Sequence, residues 1–221
     1  IGINITYAIQ DKPRGLADAF ILGADFIGTD SVCLVLGDNV FYGSAFSNIL
    51  MKAKRKALEG KAVVFGYPVK NPRDFGVAEF DDSGKVLSIE EKPNEPKSNY
   101  AVPGVYFYDN KVVDIARNIQ PSARGELEIT AVNNAYLEMG QLNVILMGRG
   151  MTWFDTGSPK GMHKAGGFVK TVQEMQGFYI SCIEEIAWRK GFISNEQLKE
   201  CGEKLIKTEY GQYLLSLLEE L

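Results

Sequence analysis

The chain has 221 residues, 45% hydrophobic and 24% charged, with 24 Lys and Arg set against 28 Asp and Glu for a formal charge of −4. That length buries a substantial core, and the intermixed, slightly acidic charge gives no electrostatic case for binding nucleic acid or an anionic membrane. Cys33, Cys182 and Cys201 lack zinc spacing and His163 stands alone without a nucleophile. A disulfide framework, a metal knuckle and histidine-based catalysis are therefore disfavoured. No apolar run reaches membrane-spanning length and no signal peptide is read, so the cytoplasm is the expected compartment.

In chain order, Ile3–Ile9 reads as a strand, and so abrupt an opening without an initiator Met suggests a fragment. Residues 10–15 form a loop marked by Pro13 and Gly15, and Leu16 to Phe26 has helical apolar spacing. The run Val32–Leu36 reads as a strand buried on both faces, with Cys33 a small core residue. This β-loop-α-β order implies parallel strands. A helix over 47–59 and a strand over 62–67 follow, then a hairpin of Val77–Phe80 and Lys85–Ile89 across Asp81-Asp82-Ser83-Gly84. Further strands are expected over 101–108, 143–147 and 152–155, and helices over 111–118 and 128–139. Beyond Pro159 the chain turns mainly helical, with segments over 184–190, 195–201 and 209–220. The expected architecture is α/β. A Rossmann-like mixed, mostly parallel sheet flanked by helices occupies residues 1–157, and a helical C-terminal region covers 158–221.

Several strand ends and loops could carry chemistry. Gly37-Asp38-Asn39 ends the strand at 32–36, where ligands of open α/β sheets gather. Asp38 there suits Mg²⁺ beside a polyphosphate, or the triplet is only a turn. Thr152–Asp155, followed by Thr156-Gly157, repeats that placement, and two carboxylates at neighbouring strand ends could chelate one Mg²⁺. Asp-Thr-Gly alone could also mark half of an aspartic protease, but no partner triplet exists. In Glu90-Glu91-Lys92-Pro93 the proline restricts Lys92 to extended geometry, as a fixed cation for phosphate or as a solvated strand end. Arg124, before the helix at 128–139, can grip phosphate as a bidentate fork. In the first loop, Gly15 can bring a bare N–H against a ligand and Gln10 offers a donor and an acceptor to a base edge. A plain β-α connection explains that loop equally.

Gln10 with Gly15-Leu16-Ala17, Val35 to Gly43, Phe75-Gly76-Val77, Glu90 to Pro93 and Pro96 to Val102 form an ordered series. It continues through Gly104 to Asp109, Pro121 to Thr130, Trp153 to Gly157 and Cys182 to Ala187. Over nearly the whole chain this series resembles the sugar-1-phosphate nucleotidyltransferases, including those that transfer a thymidylyl group. The resemblance implies their nucleotide-diphospho-sugar transferase fold. It also implies Mg²⁺-dependent transfer of a deoxythymidylyl group from dTTP to glucose 1-phosphate, releasing pyrophosphate on the way to dTDP-rhamnose and related deoxysugars. Asp38 and Asp155 would hold the metal, and Lys92 and Arg124 would be catalytic, positioning the sugar phosphate for in-line attack. Asn39, Gly76, Glu91, Val102 and Tyr106 would line the sugar pocket, while Gln10 and the Gly15 backbone would read thymine. For the tail it implies a homotetramer with a product-feedback site near Tyr42, Gly43, Glu185, Ile186 and Arg189, which ordinary helix packing explains equally.

The sequence departs from that family in four places. Its glycine-rich triphosphate loop with a Gly-Thr-Arg-Leu run has no counterpart, Ala131 stands for an Asp, Pro103 stands for a Thr, and residues 159–167 drift from the usual helix. The chain is thus expected to be most of such an enzyme without its triphosphate loop. The competing reading is a sugar-phosphate or sugar-nucleotide binding or regulatory module without turnover. A glycosyltransferase is disfavoured, since Gly37-Asp38-Asn39 lacks the Asp-x-Asp triplet.

Overall fold

The computed structural model describes residues 1–219, so the last two positions of the chain, including the end of the helix expected over 209–220, lie outside the described residues. The chain divides into a larger unit of residues 8–162 and a smaller one of residues 1–7 and 163–221. In the larger unit, α1 (Asp18–Leu22) and α2 (Ala24–Ile27) precede β1 (Val32–Val35), β2 (Asn39–Tyr42), α3 (Phe46–Leu58) and β3 (Ala62–Pro68). Then come β4 (Gly76–Phe80), β5 (Val86–Glu91), β6 (Tyr100–Ala101), β7 (Val105–Tyr108), α4 (Val112–Asn118) and α5 (Ile129–Glu138). The strands β8 (Leu142–Leu146) and β9 (Thr152–Asp155) complete this unit, and α6 (Pro159–Gln176) follows.

Seven strands form one sheet in the order β1-β7-β3-β6-β4-β5, with β8 alongside β3, while β2 and β9 pair as a separate ribbon. The mixed α/β sheet flanked by helices is as expected, but the parallel share is smaller. The β3–β8 pairing is parallel, and the other described pairings of the sheet are antiparallel. β1 and β3 do share a direction, because both run antiparallel to β7 between them.

The difference begins at the first expected strand. Residues 1–10 form no strand, and Ile3, Ile5, Tyr7 and Ile9 are exposed. Alternating branched residues make a strand only when a neighbour completes the hydrogen-bond ladder, and no described strand lies beside these. For the same reason β1 is an edge strand, partly buried at alternate positions rather than on both faces, and Cys33 is exposed instead of core.

β3 is the centre of the core. Its period of two sends Val63 and Phe65 to one face and Ala62 and Val64 to the other. On the first face α3 packs Ala53 and Ala57 with Val105, Phe107 and Met147. On the second lie Phe20, Ala116, Val132 and Tyr136 with Ile89, Tyr106 and Tyr108. Each fully buried large apolar side chain contributes about 1.5–3 kcal/mol to this packing. Two phenols carry polar tips inward at no loss. Tyr108 donates to Asn133 Oδ1 at 2.5 Å and Tyr136 donates to Asp109 Oδ1, which fastens α5 to the end of β7.

The remaining differences are local. The helix expected from Leu16 to Phe26 is two short helices parted at Gly23. The strand over 101–108 is interrupted at Pro103-Gly104, where proline has no N–H for the ladder. Helix α6 runs for 18 residues through Gly161, Gly166 and Gly167, so residues 159–167, although they drift from the resembled family's sequence, are helical as the chain beyond Pro159 was expected to be.

In the smaller unit, α7 (Ile183–Arg189), α8 (Asn195–Lys204) and α9 (Glu209–Ser216) enclose Cys182, Ala187, Leu198, Leu214 and Leu217. A capping box of Ser194 and Gln197 starts α8, and the Thr208 hydroxyl caps α9. Among the described residues no helix is long and apolar enough to cross a membrane.

Candidate active site

The turn after β1 feeds directly into β2, and the β2–β9 register sets Asn39 opposite Asp155. Asp38, one residue earlier, therefore lies at the same end of the ribbon as Asp155. The two carboxylates converge on Gly157. A Cβ added there would lie 3.0 Å from Asp155 Oδ1 and 3.1 Å from Asp38 Oδ2, so only a bare Cα leaves the space between them open. The Gly157 N–H donates to Asp155 Oδ1 at 2.8 Å. Both the N–H and the hydroxyl of Thr156 donate to the Asp38 carbonyl at 2.8 Å, which locks the two strand ends together.

Asn39 is engaged by the protein at both ends of its amide. Its Nδ2 donates to Asp38 Oδ1 at 2.7 Å, and its Oδ1 accepts from the Gly104 N–H at 2.9 Å and Trp153 Nε1 at 2.6 Å. Among the described residues neither Asp38 nor Asp155 has a Lys or Arg ion partner. Two exposed, uncompensated carboxylates around an open cradle fit a hard divalent cation such as Mg²⁺. That ion takes one or two carboxylates and completes its octahedron with water and phosphate oxygens.

Asp38, Asn39, Trp153 and Asp155 line a cavity of about 140 Å³, and Gly76, Glu91, Val102 and Tyr106 line it with them. Glu91 Oε2 accepts from the Thr130 hydroxyl at 2.6 Å. Burial, with the Glu91 and Asp38 carboxylates adding to it, holds the Tyr106 phenol well above its ordinary pKa, so it remains a hydroxyl donor.

Lys92 and Arg124 do not line the cavity. Arg124 is engaged by Glu128, with Nη2 at 2.8 Å and Nε at 3.2 Å, and it lies 3.9 Å from both Glu91 and Glu126. These carboxylates, Glu128 foremost, raise the guanidinium pKa further. Lys92 is exposed, and its backbone differs from the extended geometry expected before Pro93. Its φ is +44°, in the left-handed region. The Lys92 N–H donates to the Phe75 carbonyl at 3.0 Å, carrying the β4–β5 ladder one residue on. Pro93 disfavours the right-handed helical region at Lys92, and the chain turns away through the left-handed one at a cost of about 1–2 kcal/mol.

Gln10 and Gly15 line a second hollow of about 250 Å³ with Ala8, Leu16, Ala19, Leu22 and Gly23. Leu16 also lines the first cavity. Gly15 has a φ of +101°, and a Cβ there would collide with the Leu127 backbone, so the crossing chain itself requires glycine. Gln10 Nε2 donates to Asp18 Oδ2 at 2.7 Å and to the Gly15 carbonyl at 3.3 Å. Sequence reasoning missed Asp18, Thr130 and Trp153 as site residues. The signal for Asp18 was a carboxylate inside an apolar helical pattern, four residues after Arg14.

The residues expected at a feedback site fall in separate units. Tyr42, opposite Thr152 in the ribbon, and Gly43 belong to the larger one. Glu185, Ile186 and Arg189 belong to the smaller, where Arg189 Nε meets Glu185 Oε1 at 2.7 Å, Tyr213 donates to Glu185 Oε2 at 2.5 Å and Ile186 is half-exposed.

Comparison with known proteins decides the family. The nucleotidyl transferase family pattern matches residues 1–172. The chain belongs to the nucleotidyl transferase family. This nucleotidyltransferase is 54% identical over 219 residues to the glucose-1-phosphate thymidylyltransferase of Neisseria meningitidis, a match covering 99% of this chain and 75% of that protein. It is 52% identical to the enzyme of that name from Mycobacterium tuberculosis, again over 99% of this chain and 75% of the relative. Among solved structures, a Bacillus anthracis protein titled as a glucose-1-phosphate thymidylyltransferase, in complex with sucrose, superposes with a TM-score of 0.65 and 40% identity. That match covers 76% of this chain and 65% of the other. A UDP-glucose pyrophosphorylase complexed with UDP-glucose matches with a TM-score of 0.63 over 75% of this chain and 66% of its own, and at 20% identity it supports the fold alone.

Proposed function

We propose that this nucleotidyltransferase transfers a deoxythymidylyl group from dTTP to glucose 1-phosphate, giving dTDP-glucose and pyrophosphate for dTDP-rhamnose and related deoxysugars. The observation that carries the reading is the convergence of Asp38 and Asp155, without ion partners, on the bare Cα of Gly157. A phosphate oxygen of glucose 1-phosphate attacks the α-phosphorus of dTTP, and the bond to the β-phosphate oxygen breaks. Such transfers depend on positioning and charge neutralisation rather than on a covalent nucleophile. Asp38 and Asp155 would hold Mg²⁺, which supplies neutralisation of the phosphate oxygens when bound.

In this reading Lys92 and Arg124 position the sugar phosphate at the cavity rim. Glu91, held by Thr130, accepts from sugar hydroxyls, and Gly76, Val102 and Tyr106 close around the ring. Asn39 reaches the sugar pocket chiefly by fixing its wall. Gln10 and Gly15 face thymine. Residues 1–157 serve as the nucleotidyltransferase core and 158–221 as an assembly region of a homotetramer, with Tyr42, Gly43, Glu185, Ile186 and Arg189 in product feedback. The reaction belongs in the cytoplasm, with its nucleotide and sugar-phosphate substrates.

The test is pyrophosphate release by the full-length protein supplied with dTTP, glucose 1-phosphate and Mg²⁺. Release that stops on chelation is expected, whereas no release with dTTP or any other nucleoside triphosphate rejects the reading. The pairing of Arg124 with Glu128 favours a second one, a binding module without turnover. Calorimetric binding of dTDP-glucose without any turnover would select it.

A further inference from the structure

The buried carboxylate of Asp18 has no place in the proposed chemistry, yet it decides what Gln10 can offer. Asp18 is 4% exposed, on the first turn of α1. Its Oδ2 accepts from Gln10 Nε2 at 2.7 Å and from Arg14 Nε and Nη2 at 3.2 and 3.0 Å. Burial pushes the Asp18 pKa up, but the bonds from Gln10 and Arg14 and the Arg14 charge outweigh this and hold it below its usual 3.8. The group is therefore ionised at neutral pH and can only accept. An acceptor-only neighbour settles the orientation of the Gln10 amide, whose nitrogen must face Asp18.

The consequence follows from counting donors. A glutamine amide has two N–H hydrogens. One goes to Asp18 and the other to the Gly15 carbonyl at 3.3 Å. Among the described residues no group donates to Gln10 Oε1. In the hollow that Gln10 lines, what remains of its amide is an acceptor. Thymine and uracil carry a donor at N3, whereas cytosine carries a lone pair there.

We propose that Asp18 is a positioning residue for base selection, fixing the Gln10 amide so that its carbonyl faces the base and favours pyrimidines with an N3–H over cytosine. The inference rests on the nucleotidyl-transfer reading and deepens it. A cytosine facing that fixed carbonyl sets two acceptors against each other, whereas an N3–H pairs with it, and the mismatch disfavours cytosine.

The experiment compares kcat/KM for dTTP and dCTP, each with glucose 1-phosphate, in the full-length protein and in Asp18→Asn. Asparagine keeps the shape but can donate as well as accept, so the Gln10 amide is free to turn. The dTTP to dCTP ratio is expected to fall about tenfold, the equivalent of one hydrogen bond's worth of preference. A merely structural role lowers both values together and leaves the ratio unmoved, which overturns the inference. A measurement on the unaltered protein guards against a variant that does not fold. Calorimetry is expected to show 3-methylthymidine diphosphate, whose N3 cannot donate, binding at least about tenfold more weakly than thymidine diphosphate. Equal affinities overturn the inference while leaving dTTP turnover, and with it the proposed function, intact. If the protein neither binds nor uses any nucleotide, both fall.

Discussion

On one wall of the cavity, Asp38 and Asp155 present two exposed carboxylates with no Lys or Arg partner among the described residues, held by neutral donors from Asn39 and Gly157. Beside Glu91 of the same cavity, Arg124 is already surrounded by Glu128, Glu91 and Glu126. The first region keeps a standing negative charge that only an incoming cation can neutralise. The second keeps a cation whose present partners an incoming phosphate can replace. Since the Arg124 side chain is 46% exposed, each of those pairs contributes only about 0–1 kcal/mol, and exchanging one of them for a phosphate costs little. The contrast separates a site that recruits charge from one that trades it.

Three substitutions bear on that contrast. The largest effect is expected from Asp155→Asn, which removes half of the standing charge. Pyrophosphate release should fall on the order of 10²–10³-fold, and Mn²⁺ binding followed by electron paramagnetic resonance should weaken in parallel. Unchanged Mn²⁺ affinity would dissolve the distinction between the two regions. A smaller loss is expected from Gly157→Ala, whose methyl occupies the cradle. Metal affinity should drop about 10- to 100-fold while circular dichroism stays native. The smallest effect belongs to Glu128→Gln, which releases Arg124. Thermal stability should change by less than about 1 kcal/mol, and KM for glucose 1-phosphate should fall a few-fold as the cation becomes freer. A rise in KM would show that Glu128 aims Arg124 rather than restraining it.

The local pattern carried much of this site in the sequence. An apolar strand ending in a carboxylate was readable at both Asp38 and Asp155, because burial and turn chemistry act over a few residues. The hairpin ending at Glu91 was readable for the same reason. What failed depended on distant neighbours. Ile3–Ile9 has the alternation of a strand, but alternation cannot tell whether a ladder partner exists. Cys33 was placed in the core on the assumption that β1 is covered on both faces, which an edge position denies. At Lys92 the rule for residues before proline excluded one backbone region and left two, and the bond to Phe75 lies at the turn into the less populated one. Thr130 bonds Glu91 across 39 residues, a pairing that appears only when segments far apart in sequence meet, whereas Asp18 lies only eight residues from Gln10 and its bond depends on how the loop between them turns back.

Trp153 gives the site an optical consequence. Its indole N–H is held by Asn39, and its ring meets the edges of Phe75 at 5.0 Å and Tyr67 at 5.6 Å. The chain has two tryptophans, and the other, Trp188, lies in the smaller unit. Replacing Trp188 with phenylalanine leaves a single indole, set in the cavity wall and bonded to the residue that holds Asp38, and excitation beyond the tyrosine band selects it. Light from that one indole then reports the filling of the cavity directly, with no label attached to either substrate.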